Sequence, residues 1–503
     1  MRCDSGWVVK LRFREAPGFP SIFLDFVDGA DRAAGILPPP PSLKALAALA
    51  HRARARTDEH GPLWEEVSAR SLALEPGPEA RRGLERLSGG ASVAVVAIHK
   101  PALFGGLLSD LTKTMTAVKL AAFLTRSGVH ALPVCVLVSE PEGSEPEEEL
   151  GFVDARGNFQ ACGVAMDLRV EGLPRPEWTV SRAAGEWLDR MSMSVDSRAS
   201  VAPVWDTARR SHREGTPVKK AWSDFMQAVF QQDTLVTLDF DHLSQAGVRA
   251  AVGDGFGAEM MSALAEWSAR VRRAGYSFSP GWRLAPGADG PMLPDGMVPP
   301  LLTVLLLPAV AAVADACELP RWSALTALCR NVRRDSPRIW PRASFTAVDS
   351  RSRRLLDRYG IPPDLLYEGV APLLRRALPE QGADEVLRGI SRLQDAAEAR
   401  ARTLSGFLGP EAAATAGVQR RLARIHYQLE KLAERSRVHR ARRAEILEDR
   451  FRRLCTRLAP EGCLQESRLA ALQVLAEGAE GIVQRLSEGM DITSWQHQYL
   501  NLD

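Results

Sequence analysis

Residues 92–124 read SVAVVAIHKPALFGGLLSDLTKTMTAVKLAAFL. An uninterrupted apolar run at 93–98 predicts a strand, and a short loop ends in Gly105-Gly106. From about Leu107 to Arg126 apolar residues recur at helical spacing, with Gly128 as the stop. A second apolar run, LPVCVLVSE at 132–140, completes the order strand, helix, strand. Two strands without a polar face, joined through a helix, predict a parallel sheet covered on both sides and a right-handed crossover. Ligands bind such sheets beyond the carboxyl ends of the strands. The loops at 98–106 and 139–142 are therefore expected to face one pocket.

Working outward, the 503-residue chain is too long for a single core. Its 45% hydrophobic and 25% charged residues are those of a globular protein with a large interior, and a net charge of +2 gives no general attraction to nucleic acid. Seven cysteines lack both CxxC and Cys/His ligand spacing, so neither a zinc site nor a disulfide framework is expected. The start, MRCDSGWVVKLRF, has no unbroken apolar stretch of the export type, and a reducing cytoplasm fits best. Met297 to Ala314 carries no charge, but Pro299, Pro300 and Pro308 interrupt it; it is expected to be buried core, with no membrane partner.

Before the opening stretch stand GFPSIFLDFVDG, a four-proline turn at 38–41 and a helical pattern through Leu43, Leu46 and Leu49, read as a lead-in layer over residues 1–90. A further strand is expected at 234–240. Beyond Pro379 the composition turns to Ala, Arg, Glu and Leu, and Val418, Leu422, Ile425, Leu429 and Leu432 form a coiled-coil seam. Gly409-Pro410 divides this region into helices of about 380–408 and 411–458, whose natural closure is an antiparallel pair of the kind that joins subunits. The seam loses phase past Arg435, where His439 and Arg443 take apolar positions. The arginines at 435–443 make either a solvated face or an anion contact.

Taken in order, PSIFLDFVDG, VAVVAIHKPALFGGLLSDLTKTMTAVKLA, LPVCVLVSE, LLLPAVAAVADACELP, IWPRAS, the paired helices, LAPEGCLQES and HQYLNL resemble the bacillithiol-synthesis cysteine-adding enzymes, a family of cysteine ligases. The resemblance covers nearly the whole chain. It implies an α/β fold with a Rossmann-like parallel-sheet core and inserted connecting segments over 91–378, and a C-terminal antiparallel coiled-coil arm over 379–460. A segment at 461–503 then returns to the core. It also implies a homodimer through the coiled coil and amide bond formation between cysteine and glucosaminyl-malate.

Several positions depart from the family. Its Thr-Gly-Gln-Gln loop stands here as Ala97-Ile98-His99-Lys100, its Glu-Asp-His-Asp as Glu140-Pro141-Glu142-Gly143, and its Gly-Pro-Gly-Glu as Asp315-Ala316-Cys317-Glu318. Lys113, Thr116, Trp340, Arg342 and Ser344 are retained.

An amide made from a free carboxylate needs that carboxylate activated, most simply by ATP, with ADP and magnesium at the same site. His99 and Lys100, at a strand end, are candidates for base and cation. Glu140 and Glu142 are candidates to hold magnesium or take the amine's proton. Gly105 and Gly106 either cradle an anion or cap a helix. Lys113, Thr116, Glu318, Trp340, Arg342 and Ser344 complete the candidate binding set, with no dedicated metal ligands. The exchanged polar groups leave a second function open: a homologue of impaired activity that binds a small molecule or serves as a scaffold, or a ligase for altered substrates.

Overall fold

The computed structural model describes residues 8–53, 61–139, 150–161, 178–194, 202–241, 243, 256–276, 297–331, 335–378, 380–408, 412–478 and 481–502. The strands are β1 (Val8–Leu11), β2 (Val93–His99), β3 (Ala131–Leu137), β4 (Gly151–Val153), β5 (Phe159–Ala161), β6 (Val236–Asp239), β7 (Ala309–Ala314), β8 (Arg338–Pro341), β9 (Ser344–Val348) and β10 (His497–Asn501). Helices account for most of the rest, and none among the described residues is long and apolar enough to cross a membrane.

Five strands form one parallel sheet in the order β6-β3-β2-β7-β8. Successive strands step outward from β2 to β3 to β6; the chain then returns to the other side of β2 for β7 and β8. The order reverses between β2 and β7, the point at which sheets of this kind leave a crevice between strand ends. The expected strand, helix and strand at 92–140 are present, the helix running Leu108–Arg126 and ending before Gly128, whose φ is +87°. The proline-broken apolar run becomes the Val298–Leu306 helix followed by β7, and both are buried core.

Alternation along β2 assigns its side chains to two cores. Val93, Val95 and Ala97 face a layer containing the Leu108–Arg126 helix, Trp222 and Phe225. Ala94, Val96 and Ile98 face the opposite layer, with Trp267, Leu301 and Trp322. A strand with apolar residues on both faces is stable only between two such layers, which is why no polar residue interrupts 93–98.

After β8 the chain passes through Arg342-Ala343 into β9 and a second sheet, ordered β1-β10-β9, with β10 parallel to β9 and antiparallel to β1. The outer edge of β9 is paired by side chains. The Gln465 side chain accepts from Ala347 N at 2.8 Å and donates to Ala347 O at 3.1 Å, and Glu466 accepts from Phe345 N at 3.0 Å. Two side chains thus do the work of a strand edge, closing backbone groups whose burial unpaired is costly.

The chain divides into two compact units, 1–350 with 457–503, and 351–456. In the first, the ends of the excursion meet: Arg457 Nε lies 2.6 Å from Asp349 Oδ2. The second unit is built on the Glu380–Leu408 helix and the Ala412–Leu458 helix, which fold back on one another, Glu398 facing His426 at 3.7 Å.

The inner line of the longer helix differs from the expected seam. Val418, Leu422 and Leu429 turn inward as expected, but Ile425 and Leu432 are 47% and 53% exposed. His426 and Ala433 take their places, and the line continues through Ser436, Arg440 and Ala444 to Leu447 and Phe451. It therefore keeps its phase past Arg435, with small and polar residues where the pair is thinnest. Apolar residues lie on two faces of this helix, and the sequence pattern alone selected a line lying between them.

Candidate active site

At the sheet reversal, the carboxyl ends of β2, β7 and β8 carry a linked set of charges. Lys113, 2% exposed and one turn into the Leu108–Arg126 helix, points back under the end of β2. Its Nζ donates to Ile98 O at 2.7 Å and to Glu318 Oε2 at 2.7 Å, and lies 3.1 Å from Asp315 Oδ2. Asp315 follows β7 directly and is paired by Arg342 Nε. Arg342 Nη1 in turn reaches Glu466 Oε1 at 2.9 Å and Thr112 Oγ1 at 3.2 Å. Glu466, fully buried, accepts from Ser344 Oγ at 2.6 Å, and Ser344 Oγ lies 2.6 Å from His497 Nδ1. Thr116 Oγ1 accepts from Ala343 N at 3.0 Å, fixing the turn that aims Arg342.

The groups hold one another charged. Burial opposes the Lys113 ammonium, but Glu318 and Asp315 outweigh it and raise its pKa. Burial pushes the Asp315 carboxyl up, and Lys113 and Arg342 hold it well below the usual carboxylate range. His497 is pushed down to about 3 by burial and by the Arg342 charge, so its ring is neutral and bonds Ser344 on one side and Thr346 on the other. Three carboxylates, Asp315, Glu318 and Glu466, face two cations, Lys113 and Arg342. Asp315 and Glu318 keep 24% and 20% of their side chains exposed, so the outward face of the set is acidic.

Of the residues selected from sequence, Lys113, Thr116, Glu318, Arg342 and Ser344 therefore come together. Trp340 does not join them: it is sealed in the core, its Nε1 donating to Ile492 O at 3.0 Å and its ring 5.4 Å from Trp495.

His99 lies apart and below the surface. By strand alternation it falls on the side of Val93, Val95 and Ala97, where Nδ1 meets Asp110 Oδ1 at 3.2 Å, Nε2 meets Thr114 Oγ1 at 3.2 Å, and the ring packs 5.0 Å from Trp222. Burial lowers its pKa, while Cys135 and Asp110 raise it, with a net upward shift. The ring is sealed in the core with both nitrogens occupied. Lys100 is exposed on the loop that follows. Glu140 and Glu142 lie outside the described residues.

Gly105 and Gly106 form a buried joint. Phe104, Gly105 and Gly106 all have positive φ, at 56°, 82° and 79°. A Cβ on Gly105 would stand 2.8 Å from Phe225, and one on Gly106 would stand 2.3 Å from Asp110 Oδ2. The amides are spent locally: Gly106 N donates to Leu103 O at 2.9 Å, Leu107 N to Asp110 Oδ2 at 3.0 Å and Leu108 N to Leu469 O at 2.8 Å. Phe104 N donates to the neutral Nε2 of His212 at 2.7 Å, and burial holds that imidazole down at about 4. Four amides of this stretch, other than that of Gly105, are thus paired within the protein, and the three protons of Lys113 are likewise engaged.

Asp315, Glu466 and His212 were not selected from sequence. Asp315 stands three residues before Glu318, and its position just past an apolar strand was a usable signal. Glu466 and His212 gave none, because their partners lie far away in the chain. A second buried set, Lys219 with Asp239 and Asp241 at 2.8 and 3.0 Å, closes the end of β6, and Ser139 N donates to Asp241 Oδ1 at 2.7 Å.

A parallel sheet with a linked set of charges at its reversal point, on a chain that also carries a long helical pair, defines an α/β protein with a coiled-coil appendage. Residues 345–502 match the model of the bacillithiol biosynthesis BshC C-terminal coiled-coil domain. The chain is 23% identical to a protein of Solibacter usitatus over 97% of this chain and 99% of that one. It is 22% identical to one of Salinibacter ruber over 96% of each, and 23% identical to one of Koribacter versatilis over 82% and 84%. All three carry the name "Putative cysteine ligase BshC". Over nearly its whole length the chain is thus similar to proteins carrying that name, and over residues 345–502 to the BshC coiled-coil domain.

Proposed function

We propose that the protein is a cysteine ligase of bacillithiol biosynthesis, joining the carboxyl group of cysteine to the amine of glucosaminyl-malate as an amide. The observation that carries this reading is end-to-end similarity to relatives named as cysteine ligases, together with a linked set of charges at the reversal of a parallel sheet. Rigid, mutually neutralising side chains there give a polar substrate a fixed frame. Activation of the carboxylate by ATP with magnesium belongs to the proposal on chemical grounds. Its phosphates would need a cation other than Lys113, whose protons are used. A cytoplasmic setting goes with a free-thiol substrate.

The proposed assembly is a homodimer through the arm. What supports it is the outer apolar face of the long helix, with Ile425, Leu432, Val438 and Ile446 all at least 47% exposed.

Purified protein incubated with cysteine, glucosaminyl-malate and ATP, with thiol products followed by mass spectrometry, tests the reading; formation of bacillithiol is expected. A second reading, a binding or scaffold homologue or a ligase of other substrates, draws on the sealing of His99 on the loop where the family carries its glutamine pair. Substrate binding without product would favour it.

A further inference from the structure

Most donors and acceptors of the crevice are engaged with each other, and two atoms are not. Arg342 uses Nε on Asp315 and Nη1 on Thr112, Ala343 O and Glu466, while its Nη2 has no hydrogen-bond partner among the described residues. Glu318 uses Oε2 on both Lys113 and Asp315 N, at 2.7 and 2.9 Å, while its Oε1 has none among them. The side chains of Arg342 and Glu318 remain 12% and 20% exposed. One open guanidinium edge and one open carboxylate oxygen thus stand on the same rigid set, separated only by Asp315 and Lys113.

We propose that Arg342 Nη2 and Glu318 Oε1 form a seat for the zwitterion of an α-amino acid, Arg342 taking the carboxylate and Glu318 the ammonium. The proposal rests on the ligase reading for the identity of the amino acid, cysteine, but its chemistry requires only a carboxylate and an ammonium on one carbon. A guanidinium suits the planar carboxylate, and a carboxylate suits the ammonium. Asp315 anchors both partners, since it pairs Arg342 directly and shares Lys113 with Glu318. With its carboxylate neutralised by an arginine, the amino acid would sit with its carbonyl carbon at the reversal crevice, where activation and attack by an amine take place. Glu318 holds the ammonium protonated and so keeps the substrate's own amine from competing as nucleophile.

Binding to the full-length protein measured by calorimetry with three probes, L-cysteine, cysteamine and 3-mercaptopropionate, tests the seat. L-Cysteine is expected to bind at least about tenfold more tightly than either truncated probe, the loss expected for one charged contact. Glu318→Gln is expected to weaken L-cysteine and cysteamine by about tenfold and to leave 3-mercaptopropionate unchanged, which a general loosening of the crevice would not do. Equal affinity for the three probes, equal loss of all three in Glu318→Gln, or no binding of L-cysteine would overturn the proposal. Selective cysteine binding without bacillithiol formation would remove the ligase reading and leave the seat standing. Bacillithiol formation with an unchanged KM for cysteine in Glu318→Gln would do the reverse.

Discussion

Lys113 Nζ is shared between Glu318 Oε2 and the Ile98 carbonyl, each at 2.7 Å, so one ammonium ties the first helix of the sheet to the end of β2 and to the turn after β7. Removing it leaves Glu318 without its cation and Asp315 with Arg342 alone, and breaking a buried pair from one side costs about 3 to 5 kcal/mol. Lys113→Met is expected to lose about 3 kcal/mol in denaturant unfolding, with Lys113→Arg recovering only part of it because a planar fork does not fit three convergent acceptors. An unfolding midpoint for Lys113→Met equal to that of the wild type would refute the keystone role.

Two imidazoles are held neutral by burial, His212 at about 4 and His497 at about 3. A histidine whose folded pKa lies below its unfolded value of about 6.5 takes up more protons in the unfolded chain. The contribution of these two rings to stability is therefore full above about pH 6.5 and falls as the pH drops toward 4. For His212 alone the loss is on the order of 3 kcal/mol. His212→Gln, which can still accept from Phe104 N, is expected to flatten the slope between pH 6.5 and 4 in equilibrium unfolding. An unchanged slope would show that this ring does not titrate there.

Gly106 combines a φ of +79° with a Cβ site 2.3 Å from Asp110 Oδ2. Gly106→Ala is expected to destabilise by about 2 kcal/mol or more, from left-handed strain and from the displaced Asp110 that caps Leu107 N. Gly185, inside the Arg182–Ser194 helix with nothing within 4 Å of its Cβ position, is the control: Gly185→Ala is expected to stabilise by about 0.5 to 1 kcal/mol. Thermal melts of the two variants should move in opposite directions.

For the arm, Ile425→Lys combined with Leu432→Lys places charge on the outer apolar face and leaves the inner line of Leu422, Leu429 and Ala433 intact. The expected result is a halved mass by light scattering with unchanged helical signal. A wild type that is already monomeric, or a variant that remains dimeric, would locate the contact elsewhere or nowhere.

What could be read from the sequence followed the range of the interactions. The strand, helix and strand at 92–140 were legible because burial on both faces leaves continuous apolar runs, and β6 was legible for the same reason. The inward placement of His99 was present in the alternation too, since it shares parity with Val93, Val95 and Ala97; its location at a strand end drew attention away from the face it occupies. The Lys113–Asp315–Arg342–Glu466 set was legible only in part. Its members sit on elements brought together by the sheet reversal and by the C-terminal return, and no local pattern records that meeting. In the arm the two helices were legible and the inner line was not: apolar residues on both faces of one helix offer two seams, and only packing decides which is inner.

Asp349 and Arg457 meet at 2.6 Å where the chain leaves the first unit and re-enters it. Topologically the helical excursion is then a single loop grafted at one point, and nothing in the β9 and β10 pairing depends on how long that loop is. The entropy of closing a loop grows only with the logarithm of its length, each doubling adding about 0.6 kcal/mol. Descendants of such a chain can lengthen, shorten or re-register the arm almost without thermodynamic consequence for the sheet. The arm is therefore open to change in reach and partner geometry, while the crevice at the strand ends stays fixed.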